Sequence, residues 1–582
     1  MAHLLKAAAA GVLAAACGVA AAELFAAATR PGAAPLIAVG GAIIDATPTP
    51  VKEFAVRELG TNDKPALLTG IGVALVLFAA AVGVGAAWRR LVLPAGVAAL
   101  GAAGAGAALS RPAATWFDAV PAVLAALIAG VVLHWLLRRL PRQAAAGRRP
   151  KSSPRPAVVD HGLLAQAAED QRPLLMAAEP RRSAPKATGK TQRPAQPPDD
   201  TRPGETRAGG EMSPVNAASP AVADGGSSPM KGPDRRAFLR AAALVAAGAV
   251  VAEAGAQAVT RARSGAAGRN RAAIKLPAPK DPARPLPGGI GPGFTTPANT
   301  FYRVDTALTV PRIDPSSWRL KIHGMVGKEA TLSLDDLLKR PLIERDITLN
   351  CVSNEVGGPY IGTARWLGVP LGPLLRELAI DPRADQIVAR STEGMTIGTP
   401  VTTALDGRDT MLVVGMNGAP LPLEHGFPVR MLTPGLYGYA GACKWLDEIE
   451  VTRFDRFDAY WVKRGWARVG TVRTASRIDR PKPFARLSAG ETTVAGVAWA
   501  QRRGIKQVEV SIDDGPWQRA DLLPVPSVDT WVQWRYTWRP GKGPHSIRVR
   551  ATDGTGAVQT EARATPFPSG STGWHTITVT AL

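Results

Sequence analysis

The stretch Asp346-Ile-Thr-Leu-Asn-Cys351-Val-Ser-Asn354 decides the fold of the second half of the chain. Its apolar residues predict a short strand over 346–351 that ends in a turn, where the thiol of Cys351 can face a cleft. A lone buried cysteine is usually inert packing, so the meaning of Cys351 depends on the residues around it.

The sequence on both sides of this strand predicts an irregular α+β domain over 290–470. Trp318–Gly324 alternates like a half-buried strand, and Ser333 is suited to cap a helix over Leu334–Arg340. A further helix is predicted at Leu371–Leu378, and further strands at Met411–Gly415 and Val429–Leu432. Interleaved helices and strands with many Gly and Pro turns are typical of α+β folds.

The last hundred residues predict an immunoglobulin-like β-sandwich over 475–582, without its disulfide. Val532, Trp534, Tyr536 and Trp538 share one face of a predicted strand, opposite polar neighbours. Several short alternating strands separated by Gly, Pro and Asp are typical of such a sandwich.

Residues 1–140 predict an all-α transmembrane bundle. Each of four apolar stretches, 4–28, 66–88, 91–109 and 118–137, approaches the ~20 residues that cross a bilayer. Arg89-Arg90 and Arg138-Arg139 end two of them and indicate the cytoplasmic side. Residues 30–65 are then expected outside, kept irregular by four prolines. We interpret the bundle as an anchor or docking platform rather than an electron carrier, because polar groups at membrane depth are few. Cys17 weakly resembles a lipoprotein box and is better explained as a buried helical residue.

Residues 141–233 predict a disordered basic linker, since Pro, Ser and charged residues dominate and could not form a core. The linker ends at Arg235-Arg236-Ala-Phe-Leu239, and apolar residues follow. Residues 234–260 therefore resemble a twin-arginine export signal. An ordinary transmembrane segment with a positive cytoplasmic flank is the alternative, and both place the chain after about 265 outside.

The net charge of +22 would first suggest nucleic-acid binding. Much of that charge, however, lies beside the apolar spans or in the linker, and no nucleic-acid motif is recognisable, so we expect no nucleic-acid partner. The three cysteines, Cys17, Cys351 and Cys443, are too few and too scattered for a disulfide framework, a zinc finger or an iron–sulfur site. No CxxCH haem-attachment motif is present.

Four segments in order resemble the sulfite oxidase-type molybdenum–molybdopterin oxidoreductases. They are Thr296–Asp305, the strand ending at Cys351, Ile361–Trp366, and Met416–Arg430 with its continuation through Lys444. The predicted sandwich resembles the dimerisation domain of that family, so the resemblance covers about 290–582 and implies a homodimer.

The resemblance implies a molybdenum–molybdopterin cofactor with Cys351 as the protein thiolate on the metal, a soft ligand that suits this centre. It implies catalytic roles for Arg303, Cys351 and Trp466. The implied cofactor-binding residues are Phe301, Tyr302, Arg303, Asp305, His425, Arg430, Ala442, Cys443 and Lys444. Among them, a guanidinium and an ammonium suit the phosphate of the pterin.

Several residues depart from the family pattern. Glu355 and Val356 stand where sulfite-oxidising members carry basic residues, Trp466 stands where they have a Tyr, and Asp305 replaces a His. The segment from Cys351 to Arg365 is also shorter than in the sulfite-oxidising members. Sulfite is a dianion, so we expect weak sulfite binding unless another cation reaches the pocket. Candidates for that cation are Lys463, Arg464 and Arg473.

The expected protein is a multi-pass membrane enzyme with its catalytic half outside the cytoplasm, performing two-electron oxygen-atom transfer on a small oxyanion or oxide. Electrons would pass to or from a separate cytochrome or quinone carrier, because no haem or flavin signature is present. The enzymatic alternative is a sulfoxide or N-oxide reductase. The alternative of another class is a non-catalytic cell-surface binding protein that carries no molybdenum.

Overall fold

The computed structural model of the chain describes residues 2–59, 62–111, 114–140 and 235–582. The predicted linker at 141–233 lies outside these residues. The described part forms one compact unit, in which the N-terminal helices and the C-terminal half contact each other.

The first part of the chain is helical. Its helices are α1 (Ala2–Ala28), α2 (Pro35–Ala46), α3 (Thr49–Leu59), α4 (Asp63–Trp88), α5 (Val92–Leu109), α6 (Val120–Arg138) and, after the linker, α7 (Arg235–Ala273). In the described part of the chain, five helices are long and apolar enough to cross a membrane, and they are α1, α4, α5, α7 and the segment Trp116–Arg138 that contains α6. The four predicted N-terminal spans and the span after the linker are therefore all apolar helices compatible with a membrane. The last is longer than the predicted 234–260.

The prediction that 30–65 is irregular was wrong, because this segment contains α2 and α3. The prolines lie where helices accept them. Pro35 occupies the first turn of α2, and Pro50 is the second residue of α3. The N–H of a first-turn residue has no acceptor within the helix, so proline, which has no N–H, loses no hydrogen bond there. The fixed φ of proline also matches that of a helix.

The middle of the chain is an α+β domain of two sheets. Its strands are β1 (Arg319–Gly324), β2 (Ala330–Ser333), β3 (Ile343–Asn350), β4 (Ile361–Pro370), β5 (Gln386–Ser391), β6 (Thr396–Pro400), β7 (Met411–Met416), β8 (Ala419–Pro420), β9 (Arg430–Leu432) and β10 (Leu446–Thr452). One sheet has the order β2-β1-β10-β5-β6; the other has β3-β4-β7-β8, with β9 paired to β7. Short helices α8 (Leu334–Leu338), α9 (Leu371–Glu377), α10 (Val401–Leu405) and α11 (Gly438–Gly441) connect the strands.

The predicted local elements of this domain are present with small shifts of their ends. The Ser333 side chain accepts a hydrogen bond from the Asp336 N–H and caps α8, as the sequence indicates. Both sheets bury continuous apolar cores, one around Leu320, Ile322 and Ile449 and the other around Ile347, Trp366 and Met411. The second core supports β3, at whose end Cys351 lies.

The C-terminal region consists of two sheets that share one apolar core. Its strands are β11 (Ala475–Arg480), β12 (Arg486–Leu487), β13 (Thr492–Trp499), β14 (Ile505–Ile512), β15 (Gln518–Arg519), β16 (Asp521–Leu522), β17 (Val532–Trp538), β18 (Gly543–Asp553) and β19 (His575–Ala581). The sheet orders are β11-β13-β17-β16 and β12-β19-β18-β14-β15. Val508, Trp534, Val549 and Val579 meet in the core, which follows the alternation read from the sequence.

Candidate functional site

A cavity of about 340 Å³ brings together most of the residues singled out in the sequence. The predicted site residues that line it are Phe301, Tyr302, Asp305, Cys351, His425, Arg430, Ala442, Cys443, Lys444 and Trp466. They come from separate parts of the chain: the 301–306 segment, the turn after β3, the short 3-10 helix Leu423–His425, the start of β9, the residues after α11, and the 461–466 turn. Arg303 is the only predicted site residue outside this lining, within the described part of the chain.

Cys351 is positioned by the strand that precedes it. Its backbone N–H donates to the Tyr360 carbonyl at 3.0 Å, and its carbonyl accepts from the Asn354 N–H at 3.1 Å, so the turn after β3 is closed on both sides. The side chain is only 9% exposed. Burial raises the pKa of the Cys351 thiol, and hydrogen bonds at Ser353 oppose that change. A thiol in this setting is unreactive until a metal replaces its proton.

Arg430 is a buried cation with no ion-pair partner among the described residues. It lies in β9, which pairs with β7, and it is only 3% exposed. One guanidinium N–H donates to the His425 carbonyl at 3.2 Å, and Nε has no hydrogen-bond partner among the described residues. Burial lowers the pKa of Arg430 to about 10. An unpaired buried guanidinium is costly, so this position is built for an anionic group.

His425 contributes a neutral ring to the same wall. Its Nε2 lies 2.8 Å from the Ala298 carbonyl and donates to it. Burial lowers the pKa of His425 to about 4, and the ring packs edge-on against Phe301 at 5.5 Å. The imidazole is therefore uncharged at neutral pH and leaves Nδ1 as an acceptor.

Asp305 gathers three cations. Lys444 Nζ lies 2.5 Å from its Oδ2, Lys64 Nζ lies 2.8 Å from its Oδ1, and Arg303 Nε lies 2.8 Å from its Oδ2. Burial opposes ionisation, yet Lys444 and Arg303 hold the pKa of Asp305 well below its usual range. Burial lowers the pKa of Lys444 to about 8. Arg303 itself is exposed, so its guanidinium supports Asp305 from outside the cavity.

Trp466 and Cys443 supply apolar walls. Trp466 is 5% exposed and packs against Trp461 and Tyr439, with ring centroids 6.0 and 5.7 Å away. Its indole Nε1 has no acceptor within the described residues. Cys443 is 1% exposed, and burial raises the pKa of its thiol far above the usual range. Cys443 is therefore a packing residue.

The sequence reading missed the residues that the N-terminal helices bring to this cavity. From the described residues these are Ile43, Ile44, Thr47, Val51, Lys52, Ala55, Asp63, Lys64 and Leu67. They lie more than two hundred residues before the motifs, and all of them except Leu67 lie in the segment 30–65 that was expected to be irregular. The only signal was a cluster of charged residues between the first two apolar spans, among them Lys52 and Lys64.

Known proteins resemble the part of the chain that forms the cavity. Residues 307–461 match the family model described as oxidoreductase molybdopterin binding domain. The mitochondrial sulfite oxidase of Mus musculus is 33% identical over 285 residues, which are 41% of this chain and 51% of that protein. The sulfite oxidase of Gallus gallus is 30% identical over 335 residues, which are 48% of this chain and 72% of that protein. The chain belongs to the sulfite oxidase-type family of molybdopterin oxidoreductases.

The chain thus spans about half the length of its Mus musculus relative. The sulfane dehydrogenase SoxCD of Paracoccus pantotrophus is a similar solved structure, with 24% identity, a TM-score of 0.42, and coverage of 46% of this chain and 75% of that one.

The cofactor of this family, molybdenum–molybdopterin, fits the residues that line the cavity. Cys351 offers a soft sulfur ligand at the wall, which suits the metal. The unpartnered Nε of Arg430 and the buried ammonium of Lys444 suit the terminal phosphate of the pterin.

Proposed function

We propose that the chain is an oxidoreductase that catalyses two-electron oxygen-atom transfer at a molybdenum ligated by Cys351, as in sulfite oxidation. The observation that supports it is the location of Cys351, Arg430 and Lys444 in one cavity of about 340 Å³. This combination provides a metal ligand and two anion-binding cations together. The resemblance extends over the same residues.

Each lining residue has a role that follows from its setting. Arg430 and Lys444 would hold the cofactor phosphate, and Phe301, Tyr302, His425, Ala442 and Cys443 would pack around the pterin. When bound, the cofactor supplies a metal centre that exchanges two electrons and one oxygen atom with a substrate. Trp466, which lines the same cavity as Cys351, would limit the access of water, and charge interactions there would be stronger as a result. Arg303 would act on the site through Asp305.

The wider arrangement is part of the same proposal. The five long apolar helices would anchor the chain as a multi-pass membrane protein, with the 290–470 and 475–582 domains outside the cytoplasm. The segment 234–260 would serve as a twin-arginine-like signal. Electrons would pass singly to or from a separate cytochrome or quinone carrier. The C-terminal sheets would form an immunoglobulin-like sandwich that mediates a homodimer.

Metal analysis and an anaerobic assay test the proposal. The purified full-length protein should contain molybdenum near one per chain, and sulfite should reduce the metal centre in a single-turnover experiment. Cys351→Ser should lose that reduction. A protein without molybdenum would refute the enzymatic proposal and favour a binding protein.

The cavity wall also favours a second candidate, a sulfoxide or N-oxide reductase. Ile44, Val51 and Trp461 line the cavity and offer apolar surface to an organic substituent. Rapid reoxidation of the reduced centre by methionine sulfoxide or trimethylamine oxide, together with no reduction by sulfite, would establish this reaction instead.

A further inference from the structure

The N-terminal helices form one wall of the cavity. Ile44, near the end of α2, Val51, in α3, and Leu67, in α4, line the same cavity as Cys351. The same wall brings two cations to the cavity, Lys52 from α3 and Lys64 from α4. The helical region is therefore part of the site as well as a candidate anchor.

Two residues of this wall, Asp45 and Lys64, hold it on the catalytic domain through hydrogen bonds. Asp45 accepts a hydrogen bond from the Tyr460 hydroxyl at 2.7 Å, and its carbonyl accepts from Arg464 at 3.1 Å. Lys64 donates to Asp305 at 2.8 Å and to the Ala307 carbonyl at 2.7 Å. Asp45 precedes α3 in the sequence and Lys64 follows it. The helix α3, which carries Lys52, is therefore held at the cavity from both ends.

Lys52, like Arg430, is a lining cation with no ion-pair partner among the described residues. Its Nζ is buried and has no hydrogen-bond acceptor among the residues that the structure describes. The favourable contacts of this ammonium are with aromatic rings. Its Nζ lies 5.8 Å from the ring centroid of Tyr460 and 5.9 Å from that of Trp461. Burial and the neighbouring Arg464 lower the pKa of Lys52, and the carboxylate of Asp45 only partly opposes this change without forming a hydrogen bond to the ammonium. By contrast, Lys64 and Lys444 both share Asp305.

The cations expected from the sequence lie elsewhere. Lys463 packs its ammonium over Phe457 at 4.9 Å, and Arg473 donates to the Ser569 carbonyl at 3.0 Å. Arg464 donates to the carbonyls of Tyr460, at 2.9 Å, and Asp45. Among the described residues, none of these three lines the cavity.

Glu355 and Val356 are likewise absent from the described lining of the cavity, and Glu355 is exposed. Its carboxylate is therefore not a wall of the site. The cavity therefore lacks the positive charge that basic residues at 355 and 356 would provide. The carboxylate of Glu355 adds no negative charge to its lining.

We infer that Lys52, brought to the cavity by the N-terminal helices, binds the negatively charged oxygen atoms of an oxyanion substrate. The inference rests on the proposed function and names the substrate-binding cation of that site. Lys52 is suited to this role because its ammonium lies over Trp461, which packs against Trp466, and both rings line the cavity that contains Cys351. A compact, strongly hydrated ammonium that is deprived of water gains most from a small oxyanion.

Sulfate, an unreactive oxyanion, tests the inference by binding rather than turnover. Full-length holoenzyme in detergent is titrated with sulfate by calorimetry, with molybdenum measured in every preparation. We expect Lys52→Met to raise the sulfate Kd roughly tenfold to a hundredfold, the effect of one charged hydrogen bond. Lys52→Arg should stay within about threefold of wild type. The matched control is Lys506→Met, which removes an exposed lysine of β14 and should change nothing.

A Kd for Lys52→Met within twofold of wild type would overturn the inference, as would wild-type holoenzyme that does not bind sulfate. Lys52→Gln provides the same test if Lys52→Met loses its molybdenum.

The experiments distinguish failure of the Lys52 inference from failure of the proposed function. Sulfite oxidation with Lys52-independent sulfate binding refutes the role of Lys52 alone. Lys52-dependent sulfate binding by a molybdenum protein that neither oxidises sulfite nor reduces an oxide refutes the proposed reaction alone.

Discussion

Replacing Asp305 by Asn should destabilise the protein strongly, because this one carboxylate serves three cations. Its side chain is 4% exposed, and Lys64, Arg303 and Lys444 all lie within 2.8 Å of its oxygens. The amide keeps the shape and removes the negative charge, so the ammonium of Lys444, only 11% exposed, is left in a buried site without its counter-ion. Breaking a buried pair from one side costs about 3–5 kcal/mol.

That cost should appear as a lower melting temperature. At roughly 2–4 °C per kcal/mol for a domain of this size, Asp305→Asn should melt about 6–20 °C below wild type in the same detergent. The control is Asp521→Asn, which removes an ion pair to Arg535 whose side chains are 79% and 63% exposed. Such surface pairs contribute little, so the control should melt within ~2 °C of wild type.

A double-mutant cycle tests the origin of the effect. If Lys64 is held by Asp305, then Lys64→Met should lower the melting temperature less in the Asp305→Asn background than in wild type. Equal effects of Lys64→Met in both backgrounds, or an Asp305→Asn protein that melts with the Asp521→Asn control, would refute the reasoning.

Three further predictions concern the metal ligand, the topology and the C-terminal sheets. Cys351→Ser should abolish turnover with little change in melting temperature, since a hydroxyl is a far poorer ligand than a thiolate; wild-type activity with molybdenum retained would contradict it. Reporters fused after Arg142 and after Lys275 should lie on opposite faces of the membrane, cytoplasmic and exterior; finding both on one face would remove a crossing at 234–260. His575 Nδ1 accepts the Ile478 N–H at 3.0 Å, and burial lowers the pKa of His575 to about 4. Because the unfolded imidazole gains its proton near pH 6.5, stability should be complete above that pH and fall by up to about 3 kcal/mol as the pH drops towards 4. His575→Gln should flatten this part of a melting-temperature profile, and an unchanged slope would count against it.

The catalytic domain could be predicted from the sequence because its signals are local. The apolar run before Cys351 forms β3, and Ser333 caps α8 through the hydrogen bond expected of it. The chemistry of Arg430 was also recognisable, since an arginine between Val429 and Met431 in an apolar strand needs a buried anion. These residues were predicted together only through the resemblance, because no local pattern relates positions eighty residues apart.

The wall formed by α2 and α3 could not be predicted in this way. The prolines of this segment predicted irregular structure because proline breaks a helix when it lies in the interior. Pro35 and Pro50, however, lie in the first turns of α2 and α3, where proline is favourable. Lys52 and Lys64 acquire their meaning only from tertiary contacts with residues about 240–410 positions later. Sequence spacing carries no information about such contacts, so the anchor interpretation of the N-terminal region omitted its contribution to the site.

The departure at position 305 and the presence of the N-terminal wall are best explained as one feature. A neutral histidine offers one acceptor nitrogen, and a protonated histidine offers none, so neither could accept both Lys64 and Lys444. The carboxylate of Asp305 has two oxygens and a negative charge, and it contacts Lys64 through Oδ1 and Lys444 through Oδ2. An aspartate at 305 is therefore what allows a helix carrying a lysine to dock beside the ammonium of Lys444. The same docking brings Lys52 to the cavity, so the binding of an oxyanion by Lys52 that we propose would depend on the residue at 305 through α3 and α4.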